Sequence, residues 1–391
     1  MTIEERKNLL GKIFSPTSPI KEESFFRGRI EQIRRIVDVM NEDGQHAILF
    51  GERGVGKTSM ANITCRRITN LYSVKVICNS TDTFKSLWER ALDEVQFTTT
   101  TKGIGFTPPI QSNLVSLGDH VKGKSEINPH DVQLVLRQFP NHKFLFVFDE
   151  FDNIKDQHAR AKFADLIKSL SDASTNIKIM IVGIGENVIN LIGNHQSLER
   201  CLMQIRMPRM SDGELKEIIT IGFQQMKMTI TNPAVQKILR FSSGFPHYTH
   251  LLCKYSIKNA LENSTTEVKA DELNLAIQQA IENSTEHLRD SYSKAIMSST
   301  QNSQWKPVIQ ACATCTTDEF DSFTTTDILK EFNRITSKNS IRENITHNLG
   351  KLCQDVRGLI LEKIGTGRNI RYRFYNPMMK PFVLLNMEND E

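Results

Sequence analysis

An eight-residue segment in the first part of this 391-residue chain constrains its fold more than any other feature. The segment matches the pattern G-x-x-x-x-G-K-[ST] and consists of Gly51, Glu52, Arg53, Gly54, Val55, Gly56, Lys57 and Thr58. Apolar residues precede it, and a helical stretch follows. Glycines let the backbone curl so that its N–H groups converge on phosphate oxygens, and the helix directs its positive end at the same anion. The segment therefore predicts a strand, a phosphate-binding loop and a helix, rather than a simple glycine turn.

The polar side chains at the end of this loop are predicted to bind a nucleotide and its metal. We expect Lys57 to reach the β- and γ-phosphates and the Thr58 hydroxyl to bind Mg²⁺. Ser59, which opens the helix, also belongs to the predicted nucleotide-binding set, together with Phe26, Arg29 and His247.

A run of bulky apolar residues at 144–148 ends in two carboxylates, Asp149 and Glu150. The run predicts a strand buried on both faces, and open α/β sheets bind ligands at the carboxyl ends of their strands. Alternate residues of a strand point to opposite faces, so the two carboxylates are expected to differ in role. We expect Asp149 to hold Mg²⁺ and Glu150 to orient and polarise an attacking water. Asp152 is expected to be structural.

Short apolar segments alternate with helical or loop segments over the first half of the chain. Candidate strands lie at 46–50, 74–78, 144–148, 177–182 and 202–207. This alternation favours an α/β fold with a parallel sheet and helices on both faces. Between the second and third strands, residues 97–127 contain four consecutive threonines and several glycines, which predicts a long loop or insertion.

The remaining segments predict three further parts of the chain. Residues 1–24 lack apolar periodicity and are expected to form an arm, which leaves 25–210 for the α/β domain. Residues 211–290 are predicted to be helical, with breaks at Asn232-Pro233 and at Gly244-Phe245-Pro246. Residues 305–391 combine short helices with a hairpin, in the order of a winged helix. Its recognition helix is expected at 341–354 and its wing at 359–375.

Basic residues gather in this last part, and acidic residues between them are few. The predicted contacts to DNA phosphates are Arg342, Lys351, Arg368, Arg371 and Arg373. The alternative is that the winged helix packs on its own chain or on a partner protein.

Composition excludes several other classes of protein. The net charge of +4 is too small to indicate nucleic-acid binding by itself. The seven cysteines include a single CxxC, Cys312 and Cys315, without the second pair that a zinc site needs. Reduced thiols, no apolar leader and no run of about 18 apolar residues predict a soluble cytoplasmic protein.

The phosphate loop and the acidic strand end together resemble those of AAA+ ATPases, and in particular the Orc1/Cdc6-type branch and related bacterial ATP-binding proteins. This resemblance implies an ATPase domain, a helical lid and a winged helix, with ATP and Mg²⁺ as ligands. The segment with Phe26 and Arg29 is similar to the one that packs near the adenine in this family. Asn187 matches the sensor-1 position after the fourth strand, although a helix-capping role is the alternative.

Two further positions bear on subunit contacts and on the lid. Arg200, before the fifth strand, lies where an AAA+ arginine finger is expected, with a surface or ion-paired arginine as the alternative; Arg206 and Arg209 are weaker candidates. His247 replaces the arginine of the sensor-2 segment Gly-x-Pro-Arg. A neutral histidine is no permanent cation, which predicts weak coupling of the lid to hydrolysis.

These features favour an oligomeric nucleotide switch, assembled as a ring or filament, that hydrolyses ATP and engages duplex DNA. A second hypothesis is a signalling or defence switch, for example against phage, that recruits an effector protein instead of DNA. A third is a monomeric ATP-binding scaffold. No separate nuclease, protease or nucleophile site is evident in the sequence.

Overall fold

The computed structural model describes residues 1–16, 18–19, 28–68, 71–101, 111–173, 176–185, 198, 200–298, 304–318, 321–337, 340–365, 367 and 369–390. The chain divides into two compact units. Residues 19–208 form the first, which we call the phosphate-loop unit. Residues 1–18 and 209–391 form the second, which we call the helical unit.

The helices and strands are numbered in chain order. Those up to residue 208 are α1 (Ile3–Ile13), α2 (Ile30–Asn41), β1 (His46–Gly51), α3 (Lys57–Arg67), β2 (Tyr72–Ile77), α4 (Phe84–Asp93), β3 (Gln96–Thr101), β4 (Gln111–Ser116), α5 (Pro129–Arg137), β5 (Phe144–Asp149), α6 (Gln157–Asp172), β6 (Ile177–Ile184) and β7 (Leu202–Arg206). Those that follow are α7 (Asp212–Gln225), β8 (Thr229–Ile230), α8 (Asn232–Ser242), α9 (Pro246–Glu262), β9 (Glu267–Val268), α10 (Ala270–Glu282), α11 (Glu286–Ile296), α12 (Trp305–Thr314), α13 (Thr325–Thr336), α14 (Arg342–Leu352), β10 (Leu361–Ile364), β11 (Arg371–Phe374) and α15 (Met379–Asp390).

The phosphate-loop unit is built on a five-stranded sheet in the order β2-β5-β6-β1-β7. Every pairing is parallel, which confirms the predicted α/β sheet. All six residues of β1 and of β5 are buried, as expected for inner strands covered by helices on both faces. Parallel strands bring their carboxyl ends to one edge, so the end of β1 and the end of β5 lie at the same edge, with β6 between them.

Aromatic side chains fill the core beside β5. The Trp88 ring of α4 lies 5.0 Å from Phe146, and the Phe163 ring of α6 lies 4.7 Å from Phe148, both edge to face. Such pairs add about 0.5–1.5 kcal/mol each beyond the area they bury. The strand that carries Asp149 is therefore rigidly held.

The predicted loop at 97–127 instead begins with an antiparallel hairpin. Strands β3 and β4 pair from Gln96 opposite Ser116 to Thr101 opposite Gln111. Threonine is β-branched and favours strands. Phe97 anchors the hairpin by stacking on Phe139, with the ring centroids 4.9 Å apart. In the segment after it, Leu117, Val121 and Ile127 are buried in the core.

The N-terminal arm contains a helix that the sequence did not indicate. Thr2 and Glu5 form a capping box at the start of α1. Its buried apolar residues, Leu10 and Ile13, lie near the end of the helix, which explains why no periodicity was evident. Phe14, just beyond the helix, lies edge to face with Phe223 of α7. A Cβ at Gly222 would lie 2.2 Å from the Phe14 ring, so this contact requires a glycine there.

After α1, the helical unit continues with α7 to α11, and helix breaks fall at Asn232 and Pro246 as predicted. Helices α12 to α14 follow, and β10 and β11 then pair as an antiparallel hairpin. An isolated bridge joins Phe323 to Tyr372 of this hairpin. In the portion of the chain covered by the structure, no helix is long and apolar enough to cross a membrane.

Candidate nucleotide-binding site

The loop between β1 and α3 has a backbone shape that requires glycine. Gly54 has φ 86° and Gly56 has φ 95°, where side chains are strained. Gly56 precedes α3 without any side-chain cap, so the first N–H groups of the helix face the loop. Gly51 is required for another reason, since a Cβ there would lie 2.4 Å from the carbonyl oxygen of Met207, in the segment that follows β7. The loop is therefore shaped for an anion by its own sequence and by the close approach of the segment after β7.

Lys57 lies inside this loop and is 9% exposed. Its ammonium donates to the carbonyl oxygens of Gly51 at 3.0 Å and Glu52 at 2.6 Å. Burial lowers the pKa of Lys57 from 10.5 to about 8, while the carboxylates of Asp152 and Asp149 oppose that shift. Its hydrogen-bond partners in the loop are neutral carbonyls, and anionic phosphate oxygens are much stronger acceptors. The ammonium is thus placed to bind phosphate.

Asp149 ends β5 and is 2% exposed. Its Oδ1 atom accepts hydrogen bonds from the Thr58 hydroxyl at 3.3 Å and from the Glu150 N–H at 3.0 Å. The Lys75 ammonium of β2 lies 3.4 Å from Oδ2. The structure therefore brings together the two predicted metal ligands, Thr58 and Asp149. It also adds Lys75, whose only sequence signal is that it is the one charged residue of its strand.

The chemistry of Thr58 and Asp149 fits Mg²⁺. Both offer hard oxygen atoms, and Mg²⁺ in phosphate sites takes one or two protein ligands besides waters and phosphate oxygens. Among the residues whose structure is described, no group of three His, Cys, Asp or Glu side chains could hold a metal ion by itself. A metal at this site would therefore depend on the nucleotide for further ligands.

Glu150 follows Asp149 with φ 57°, in the left-handed region. This turn of the chain, which follows the end of β5, leaves the Glu150 side chain exposed while that of Asp149 stays buried. Asn153 donates from Nδ2 to Glu150 Oε2 at 3.2 Å. Asp152 accepts the N–H of Ile184 at 2.7 Å, which ties the end of β6 to this turn and fits its expected structural role. Asn153 was not singled out from the sequence, because it belongs to no phosphate motif.

Arg29, expected near the adenine, braces the loop. It is 2% exposed with φ 62°, and its guanidinium donates to the Val55 carbonyl oxygen at 3.0 Å. Val55 is itself buried, while Arg53 at the outside of the loop is exposed. Phe26 and the sensor-1 candidate Asn187 lie outside the described residues.

Arg200 precedes β7 at the amino edge of the sheet, the edge opposite the phosphate loop. His46 at the start of β1 pairs with Leu202, whereas Phe50 at its end pairs with Arg206. At about 3.3 Å per residue, Arg200 is more than roughly 15 Å from the loop of its own chain. Its guanidinium forms an ion pair with Asp172 at 2.8 Å, and both side chains are exposed.

His247 lies at the start of α9 in the helical unit. Its Nδ1–H donates to the Pro16 carbonyl oxygen at 2.9 Å, and burial lowers the pKa of the imidazole. The side chain is therefore neutral at physiological pH. Arg209 has its guanidinium 4.5 Å from the Phe245 ring centroid and pairs with Asp321 at 2.8 Å, so it is held within this unit.

The basic residues predicted to contact DNA fall into two groups. Arg371 pairs with Asp318 at 3.1 Å, and Arg373 pairs with Glu362 of the neighbouring strand. Arg342 and Lys351 are exposed on α14, whose residues Ile345, Leu349 and Leu352 are buried. Arg368 lies outside the described residues.

The five-stranded parallel sheet, the phosphate loop and the acidic strand end define a P-loop NTPase of the AAA+ type. Within that class, the chain belongs to the family Novel STAND NTPase 1 (nSTAND1), whose model matches residues 19–295. No curated protein sequence matches the chain significantly.

Solved structures share this fold at low sequence identity. The Walker-type ATPase PABY2304 of Pyrococcus abyssi has a TM-score of 0.54 and 12% identity, covering 95% of this chain and 99% of that one. The ORC2 protein of Aeropyrum pernix, solved as ADPNP–ADP complexes, has a TM-score of 0.51 and 13% identity, with coverages of 97% and 96%. The Orc1 protein of Aeropyrum pernix in complex with DNA has a TM-score of 0.50 and 12% identity, with coverages of 97% and 96%. These likenesses confirm the expected Orc1/Cdc6-type fold.

Proposed function

We propose that this protein binds ATP with Mg²⁺ and hydrolyses it slowly, as a nucleotide switch. One observation carries the proposal: the Thr58 hydroxyl contacts Asp149 at the carboxyl edge of one sheet, and Lys57 and Glu150 are the residues next to them in the chain. Family membership supports nucleotide binding, and the four side chains supply the parts that hydrolysis requires.

Each of these side chains has a distinct part in the proposed reaction. The N–H groups of the loop and the Lys57 ammonium bind the phosphates and offset charge that develops on the γ-phosphoryl group. Thr58 and Asp149 would hold Mg²⁺, which would supply positive charge to offset the negative charge of the phosphates. Glu150 orients a water for in-line attack and accepts its proton, and the products are ADP and inorganic phosphate.

Phosphate release from ATP by the full-length chain tests this proposal. We expect hydrolysis that requires Mg²⁺ and that falls to background in Asp149→Asn, because the buried carboxylate becomes a neutral amide. Asp172→Asn, at the other edge of the sheet, is the matched control and should keep that basal rate. Hydrolysis by Asp149→Asn at the wild-type rate would overturn the assignment of Asp149.

We propose that the active form is an oligomer in which Arg200 acts on a neighbouring subunit. Its position at the edge opposite its own loop supports action in trans only, because the side chain is too short to cross the sheet. A heterologous contact of this kind builds a ring or a filament. Arg200→Ala should lower hydrolysis about 10³-fold, the smaller of the effects known for arginine fingers. Asp172→Ala should not, because it breaks the same ion pair but keeps the arginine. Full activity of Arg200→Ala at every protein concentration would favour the monomeric scaffold.

The proposed switch binds duplex DNA through a winged helix formed by α12 to α14 and the β10–β11 hairpin. The exposed polar face of α14 supports this, since Arg342 and Lys351 lie on it. The similar fold of the Aeropyrum pernix Orc1 protein, solved with DNA, points the same way. The full chain should bind duplex DNA with an affinity that falls steeply with salt. Absence of DNA binding at low salt would overturn the DNA-binding proposal.

A signalling or defence switch that recruits an effector protein is the second candidate. The ion pairs of Arg371 and Arg373 favour it, because they reduce the positive charge available to DNA. Mass photometry of Glu150→Gln with ATP, with and without DNA, separates the two. Assembly that needs DNA supports the first candidate, and assembly with ATP alone that ignores DNA supports the second.

A further inference from the structure

Lys75 is the one charged residue of the edge strand β2, Tyr72–Ile77. It lies opposite Val147 in the parallel register, two residues before the end of both strands. Residues two apart on a strand share a face, so the lysine side chain can run along the sheet to the carboxylate at the end of β5. Its ammonium ends 3.4 Å from Asp149 Oδ2.

The two carboxylate oxygens of Asp149 have different partners. Oδ1 accepts the Thr58 hydroxyl and the Glu150 N–H, whereas Oδ2 faces the Lys75 ammonium. The carboxylate side chain is 3% exposed and the lysine side chain is 23% exposed. A buried carboxylate without a counter-ion is costly, and Lys75 supplies one when no metal is bound. The lysine, in contrast to the carboxylate, has a path to solvent.

We propose that Lys75 is a resident counter-ion that competes with Mg²⁺ for Asp149 and so lowers the affinity of the nucleotide-loaded site for Mg²⁺. The inference rests on the proposed function, because it requires Asp149 to serve the metal. Mg²⁺ and an ammonium group on the same carboxylate repel each other, so metal binding displaces the long lysine side chain towards water. Lys75 is thus a positioning residue that acts through Asp149.

The experiment measures Mg²⁺ affinity without turnover. Full-length protein is saturated with a fluorescent ADP analogue, and Mg²⁺ is titrated while fluorescence and thermal stability are followed. In Lys75→Met the Mg²⁺ concentration for half-saturation should fall about tenfold, the effect of one charge-assisted hydrogen bond. The metal-free melting temperature should also fall, and saturating Mg²⁺ should restore it, because the metal replaces the lost counter-ion.

Three variants control this result. Lys75→Arg keeps the charge and should titrate like the wild type, and Lys168→Met, at an exposed position on α6, should change nothing. Lys75→Gln removes the charge but keeps a hydrogen-bond donor, and it should behave as Lys75→Met does if the methionine variant does not fold.

An unchanged or higher Mg²⁺ requirement in the uncharged variants would overturn the inference, since a lysine that merely orients Asp149 for the metal gives that result. Failure of the wild type to bind the ADP analogue at all would instead overturn the proposed function. The two failures are therefore distinguishable in one set of titrations.

Discussion

The phosphate site and the basic residues of the helical unit use similar cations in opposite ways. At the phosphate site, the Lys57 ammonium is buried and its hydrogen-bond partners in the loop are neutral carbonyl oxygens. On the β10–β11 hairpin, Arg371 and Arg373 each face a carboxylate of their own chain. A cation held by neutral groups keeps its attraction for an arriving phosphate, whereas one held by a carboxylate must first give up that pair.

The number of basic residues in a region is therefore a poor guide to anion binding. The sequence of the hairpin region has an excess of basic residues, but in the structure two of its arginines each lie beside a carboxylate. The phosphate site has few basic residues, and its strength comes from the loop backbone and the start of α3 as much as from Lys57. Nucleotide binding is therefore the better supported of the two anion-binding functions.

At the phosphate site, Glu150→Gln should have a larger effect than Lys57→Ala, because it removes the water-activating carboxylate. Glu150→Gln keeps the shape of the side chain and removes its basicity, so hydrolysis should fall roughly 10²–10⁴-fold while ATP still binds. Single-turnover hydrolysis and nucleotide titration measure the two quantities on the same sample. Normal turnover by this variant would contradict the role assigned to Glu150.

Loss of the buried Lys57 ammonium should have the next largest effect, on the affinity for ATP. Lys57→Ala removes two or more charge-assisted hydrogen bonds to phosphate, and ATP affinity should fall about 100-fold or more. Isothermal titration of the full chain with ATP measures this. Lys155→Ala, in the turn before α6, is a control at another lysine of the same unit. Unaltered ATP affinity in Lys57→Ala would contradict this expectation, because the buried cation would then bind phosphate no better than an ion-paired one.

The loop and the strand carrying Asp149 and Glu150 could be predicted because local sequence determines them. A glycine at φ 95° and an apolar strand that ends in carboxylates are properties of adjacent residues. The five parallel strands followed for the same reason. The hairpin at Gln96–Ser116 was missed because its strands are polar and its anchor, Phe97 on Phe139, joins residues far apart in the chain.

The partners of the site residues were less predictable. Nothing adjacent to Lys75 indicates Asp149, which lies 74 residues further on. The carboxylates facing Arg371 and Arg373 come from Asp318 and Glu362, and only the fold brings them close. The positions of Asn187 and of the arginine finger's target stay predictions.

Substitution of Arg29 tests whether this side chain stabilises the conformation of the phosphate loop or contacts the adenine base. Arg29→Ala leaves the Val55 carbonyl without its buried donor, so the loop should lose its shape and affinity should fall roughly tenfold. A brace affects every phosphate ligand, so tripolyphosphate and ATP should weaken equally in competition titrations. A loss of affinity for ATP alone, with unchanged affinity for tripolyphosphate, would instead support the predicted role of Arg29 near the adenine. Arg35→Ala, on the same segment but bonded to Gln204, is the control.

The smallest expected effect separates exposed from paired basic residues of the helical unit. Arg342→Ala and Lys351→Ala should each weaken binding to duplex DNA a few-fold, because exposed side chains give modest phosphate contacts. Each should also reduce the slope of log affinity against log salt by about 1. Arg371→Ala and Arg373→Ala should change the slope less, since each cation already has a carboxylate partner.

Fluorescence anisotropy of the full chain with a labelled duplex, over a series of salt concentrations, gives both quantities for all four variants. If the alanine variants of the exposed and of the paired residues reduce the slope of log affinity against log salt equally, the ion pairs must open when DNA binds. The contrast between the two regions would then hold only for the protein without DNA, because the hairpin arginines would exchange one anion for another as Lys57 exchanges carbonyls for phosphate.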